Sequence, residues 1–78
     1  NPFNPSTTME WTMLSASNHE LSVYNVNGQL VDVVSSGLIN QGSHSITWTP
    51  NSLSTGVYFV RLTVENEIVD SRKVMLLK

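Results

Sequence analysis

The chain has 78 residues, four basic and six acidic side chains for a net charge of −2, no cysteine, and 40% apolar residues. At this length only about 60% of the unfolded surface can be buried, so the chain can build one small core, and a deep catalytic cleft would compete for the same side chains. Neither sign of charge is concentrated enough to favour nucleic acid or an anionic membrane, and the missing cysteines exclude disulfides, thiol nucleophiles and cysteine zinc sites.

The opening, Asn1-Pro2-Phe3-Asn4-Pro5-Ser6-Thr7, has two Asn-Pro steps around one aromatic. Each proline fixes its own φ and pushes the residue before it towards extended geometry. The segment reads as a stiff lead-in from a preceding domain, with Phe3 able to pin it against a core. Asn1 to Lys78 otherwise read as one domain, without internal repeat or low-complexity tract. No basic n-region followed by an apolar stretch opens the sequence, so an amino-terminal export signal is expected on a longer parent.

Period-two alternation then dominates. Met9, Trp11 and Met13 alternate with Thr8, Glu10 and Thr12, which predicts a strand with one buried face. Leu21 and Val23 begin a second strand that continues through Tyr24 and Val26, and Asn27-Gly28 suggests a type I′ hairpin turn with positive φ at both residues. The return strand is expected over Gln29 to Val34, ending in Ser35-Ser36-Gly37. A polar connection through Asn40-Gln41-Gly42 leads to His44 to Trp48, with Ile46 and Trp48 facing inwards.

Pro50-Asn51-Ser52 and Ser54-Thr55-Gly56 break the pattern again. Tyr58, Val60, Leu62 and Val64 then form the longest clean apolar face, opposed by Arg61 and Thr63, and this strand is expected to cross the centre of a sheet. Glu65-Asn66-Glu67 turns the chain into a final strand from about Ile68 to Leu77. The longest apolar run, Val74-Met75-Leu76-Leu77, is far short of the roughly 20 residues of a membrane-spanning helix. Six or seven short strands with no helical periodicity predict an antiparallel β-sandwich of immunoglobulin-like type.

Chemistry-bearing residues are sparse. His19 and His44 are the only imidazoles, and neither has a second ligand at i+3 or i+4, so a structural or surface role outweighs a metal site. No Gly-x-Ser-x-Gly elbow is present, and Glu65, Glu67, Asp32 and Asp70 read as solvated turn and strand residues before they read as a paired acid site. Glu65-Asn66-Glu67 lacks the regular acidic spacing and the glycine of a calcium loop. Trp11, Trp48, Tyr24, Tyr58, Phe3 and Phe59 fall mostly on apolar faces, where core packing outweighs a sugar-stacking platform; Phe59 is the exception, because its face also carries Arg61 and Thr63. No catalytic, cofactor-binding or metal-binding residue emerges.

Four segments occur in a particular order: the Asn-Pro-Phe-Asn-Pro opening; Val23-Tyr24-Asn25-Val26-Asn27-Gly28-Gln29-Leu30-Val31 with Gly42-Ser43-His44 after it; Gly56-Val57-Tyr58-Phe59-Val60-Arg61-Leu62; and Arg72-Lys73-Val74-Met75-Leu76-Leu77-Lys78. Together they resemble the type A C-terminal sorting domain of the type IX (Por) secretion system, over essentially the whole chain. Trp48-Thr49-Pro50 departs from that pattern, as does the Met9 to Met13 strand, which in the family is usually richer in Ile and aromatics.

The resemblance implies a non-catalytic address carried by a larger secreted parent, exported through the periplasm of a Gram-negative bacterium and released or held at the cell surface. It implies as partners the upstream cargo domain, the outer-membrane type IX machinery and its processing protease. The family motif positions are Asn1, Pro2, Phe3, Asn4, Pro5, Tyr24, Asn27, Gly28, Gly42, Gly56 and Tyr58. Arg72, Lys73, Val74, Met75, Leu76, Leu77 and Lys78 match the basic-apolar end on which recognition is thought to depend. The alternatives are an accessory carbohydrate- or surface-binding module of a secreted enzyme, favoured by a row of exposed aromatics, and a structural spacer.

Overall fold

A computed structural model describes residues 6–50 and 52–77. Six strands follow one another: β1 (Thr7–Met13), β2 (Ser17–Tyr24), β3 (Leu30–Ile39), β4 (Gly42–Trp48), β5 (Gly56–Val64) and β6 (Glu67–Leu76). They form two antiparallel sheets, one of two strands in the order β1-β4 and one of four in the order β3-β2-β5-β6. This is the expected immunoglobulin-like sandwich. β5 does run through the interior of the larger sheet, between β2 and β6.

The alternation read from the sequence is the alternation of burial. Met9, Met13, Leu21, Val23, Trp48, Tyr58, Val60 and Leu62 are buried, joined from β6 by Leu76. Trp11, Val31, Val34, Ile46, Val64 and Val74 pack on this core half-buried. One side chain ties the layers together and a second anchors a connection. The Trp48 indole N–H on β4 donates to Asp32 Oδ2 on β3 at 2.7 Å, and the Tyr58 hydroxyl donates to the Ser54 carbonyl at 2.8 Å, pinning the connection into β5. Each bond satisfies the polar end of a ring whose apolar body is in the core.

Two local expectations are corrected. Ser35-Ser36-Gly37 does not end the return strand, because β3 continues to Ile39. The His19 ring explains this: its Nδ1 donates to the Gly37 carbonyl at 2.7 Å, and its Nε2 lies 2.7 Å from the Ser35 hydroxyl. Gly37 sits at φ +108°, open only to glycine, so what reads as a turn is an irregular edge strand. β3 also skips a residue twice against β2, at Val34 and at Val31, and both extra valines pack on the core.

The β2–β3 turn also differs from expectation. Only Gly28 is at positive φ (+80°), so Asn27-Gly28 is not a type I′ pair. The Gly28 N–H donates to the Asn25 carbonyl at 3.0 Å, and the Asn25 N–H donates to the Gln29 carbonyl at 3.0 Å. This is the longer hairpin loop in which a turn is followed by a left-handed glycine. Asn25 holds it together, its Oδ1 accepting from both the Asn27 and Gln29 amides at 3.0 Å. The two positive φ values of a two-residue loop occur at the β5–β6 hairpin instead, at Glu65 (+49°) and Asn66 (+69°).

Candidate recognition strand and the sheet around it

Position in a strand divides the predicted recognition residues into two sets. β6 pairs with β5 in the register Val60↔Arg72, Phe59↔Lys73, Tyr58↔Val74, Val57↔Met75 and Gly56↔Leu76. Val74 and Leu76 share the inner face with Tyr58 and pack in the core, Leu76 being only 3% exposed. Lys73, Met75 and Leu77 are exposed, as is Arg72 at the rim. Lys78 lies outside the described residues. The strand is therefore at once a wall of the core and a display of basic and apolar side chains.

The motif positions are dispersed by comparison. Asn1, Pro2, Phe3, Asn4 and Pro5 lie outside the described residues, so the lead-in and the pinning role of Phe3 do too. Asn27 and Gly28 form the β2–β3 loop, and Gly42 begins β4 at φ +122°. Gly56 and Tyr58 lie directly across from Leu76 and Val74, which makes β5 the template on which the candidate strand β6 is laid. Tyr24 is on the opposite, outward face of the larger sheet, with the Arg61 guanidinium 4.3 Å above its ring.

β6 forms one edge of the larger sheet and β3 the other. Their free edges differ. β3 is interrupted at Val31 and Val34, whereas β6 has one irregularity at Val69 and then runs without a break from Asp70 to Leu76. Asp70 shapes this edge in a way that its sequence pattern, an isolated acid, does not reveal. Its Oδ1 accepts the Ser71 backbone N–H at 2.9 Å, and its Oδ2 meets Arg72 Nε at 3.2 Å. The carboxylate thus covers one edge amide and holds one edge cation; nothing but the spacing Asp-Ser-Arg could have signalled this.

Between β1 and β6 the sandwich is open. A groove of about 660 Å³ is lined by Glu10, Trp11, His44, Leu62, Asp70 and Arg72. Trp11 lies between the two histidines, with ring centroids 5.8 Å from His19 and 5.7 Å from His44. His44 Nε2 donates to the Asn40 carbonyl at 2.7 Å. Both imidazoles are therefore committed to backbone carbonyls and to the indole.

The carboxylates are spread out. Asp32 and Asp70 lie on opposite edges of the larger sheet, and Glu65 Oε2 accepts the Asn18 N–H at 2.7 Å, closing the hairpin tip that raised the question of calcium. Among the described residues no group of three His, Cys, Asp or Glu is placed to hold a metal ion, and no helix is long and apolar enough to cross a membrane. Trp48 and Tyr58 are buried and Trp11 is half-buried, so they do not form the exposed aromatic row a sugar platform needs.

No curated protein and no solved structure matches the chain. The pattern of the family described as secretion system C-terminal sorting domain matches residues 1–77. That family is defined by a sorting signal on secreted cargo and is not a catalytic one. A β-sandwich whose last strand doubles as core wall and exposed basic-apolar display, matched from end to end by this pattern, belongs to the family of type IX secretion C-terminal sorting domains.

Proposed function

We propose that this domain directs a larger parent protein through the type IX outer-membrane translocon, and that the translocon reads Arg72 to Lys78, the processing protease then acting as the cargo is released or attached at the surface. The observation that carries the reading is the unbroken free edge of β6 from Asp70 to Leu76, bearing Arg72, Lys73 and Met75 exposed. A strand with unsatisfied edge amides and carbonyls can be captured by adding to the edge of a partner's sheet, and the cations can meet acidic groups there. Asn1 to Lys78 act as one address, joined by residues 1–7 to the domain before it. The chain performs no chemistry in this role; its work is presentation.

The test is a folded reporter carrying an export signal and fused to Asn1 to Lys78, followed in a bacterium with and without a working type IX translocon. Deleting Val74 to Lys78 removes Leu76 and Val74 from the core, so loss of export there would not separate address from fold. The informative variant is Lys73→Glu, Met75→Ser, Leu77→Ser, which alters exposed positions only. Export should be lost while the domain stays folded. Wild-type export of that variant, or export without the translocon, would overturn the reading.

A further inference from the structure

The outward face of the larger sheet is a second surface that the sequence signals do not isolate. The strand registers align Leu30, Tyr24, Phe59 and Lys73 in one row across β3, β2, β5 and β6, and Val33, Ser22, Arg61 and Ser71 in the next. Directly opposed residues in antiparallel strands project to the same face, so these rows are neighbours in space. Leu30 is 53% exposed, Val33 43%, Phe59 37% and Met75, beyond the first row, 60%. At the centre the Arg61 guanidinium lies over the Tyr24 ring, and Ser22 beneath this level is fully buried.

Charge is segregated on the same face. Arg61 and Lys73 are the charged groups of these two rows, whereas Glu20 pairs with Thr63 in the row beyond, towards the Glu65-Asn66-Glu67 tip. An apolar and aromatic surface carrying two cations, on a chain of net charge −2, is complementary to an apolar surface flanked by carboxylates. Its side chains, Tyr, Phe, Met, Arg and Leu arranged around a covered centre, are mostly of the types that dominate protein–protein interfaces. A glycan fits less well. The Tyr24 ring already carries Arg61 on one face, and Phe59 is the one other aromatic ring among aliphatic neighbours, so the patch lacks the row of open rings on which a sugar chain stacks.

We propose that this face docks a protein surface bearing apolar side chains beside Asp or Glu, and that it forms one continuous recognition surface with β6 through Lys73 and Met75. The inference rests on the sorting reading above and extends it: the machinery reads the folded sheet, with Tyr24, Leu30, Phe59 and Arg61 as contacts, as well as the β6 strand. The partner's carboxylates meet Arg61 and Lys73, and its apolar side chains cover Leu30, Phe59 and Met75. The loop and hairpin at the Glu65 end take no part.

The experiment uses the same reporter fusion with Leu30→Ser, Phe59→Ser and Arg61→Glu combined, leaving β6 untouched, and measures export together with binding to detergent-solubilised translocon on a sensor surface. Both should fall at least about tenfold, as expected when central interface residues are removed. Glu65→Lys with Glu67→Lys, at the far end, should leave both unchanged. Wild-type export and binding by the face variant would overturn the proposal, while failure of the Lys73, Met75, Leu77 variant to reduce export would overturn the sorting reading instead. If the combined variant is not folded by circular dichroism, Arg61→Glu alone decides, with the same two outcomes. Normal export coupled to lost retention on purified surface polysaccharide would also overturn it, in favour of a glycan ligand.

Discussion

Replacing Trp48 by phenylalanine tests whether the contact between the sheets is a specific bond or merely packed area. The indole N–H donates at 2.7 Å to Asp32, and it is the only hydrogen bond from side chain to side chain between β4 and β3 among those described. A hydrogen bond to a charged group contributes about 1.5–3 kcal/mol, and the half-buried position of Asp32, whose carboxylate keeps some water, argues for the lower end. The smaller ring adds roughly 1 kcal/mol of lost packing in a site only 4% exposed. The sum, about 2.5 kcal/mol, lowers the melting temperature of a domain this size by roughly 10–20 °C. Urea unfolding followed by the fluorescence of Trp11, which the variant retains, measures it. A double-mutant cycle with Asp32→Ala isolates the bond, with an expected coupling of at least about 1 kcal/mol. Coupling within a few tenths of zero would refute the reasoning and leave area alone as the link between the sheets.

Three further outcomes follow from single positions. Ser22 is fully buried and its hydroxyl has no partner, so Ser22→Ala should be neutral or stabilise by up to about 1 kcal/mol, read as a raised melting temperature; a loss of that size would reveal a hidden bond. A Cβ on Gly37 meets nothing within 4 Å, so Gly37→Ala isolates the backbone cost of φ +108°, about 1–3 kcal/mol in urea unfolding, and no loss would mean that β3 relaxes locally. Asp70→Ala uncovers the Ser71 amide, whose hydrogen exchange should accelerate well ahead of amides on β5; unchanged exchange would show that Asp70 is not its protection.

The strands were legible because each buries one face, and period two survives wherever that holds, as at Met9-Trp11-Met13 and Tyr58-Val60-Leu62. It fails on edges. Ser35-Ser36-Gly37 has turn composition, yet it is held in β3 by His19, a partner 16 to 18 positions away that no local pattern contains. The β2–β3 turn escapes local pattern for a similar reason: Asn27-Gly28 is the stronger short signal, but the Asn25 side chain supplies the oxygen on which two amides converge. Within β6 the apolar-basic mixture is plain in the sequence, whereas its division into core and exposed face depends on register, which the pairing with β5 alone fixes. Asp70 was readable as an acid and unreadable as a cover, because the geometry of its own neighbours gives it that use.

An open sheet edge is also a hazard, since any unfolded chain nearby can adhere to it and begin a fibril. In β6 the register skip at Val69 ends the regular edge just before Asp70, and the Asp70 carboxylate must be pushed off Ser71 before a stranger's carbonyl can take its place. Adventitious pairing thus meets a barrier at one end of the strand, while a binder that offers a carboxylate to Arg72 can turn the same obstacle into an attachment, releasing Asp70 as it seats itself. Two neighbouring residues of one strand, Val69 and Asp70, thus give the edge selectivity of access as well as a place to bind.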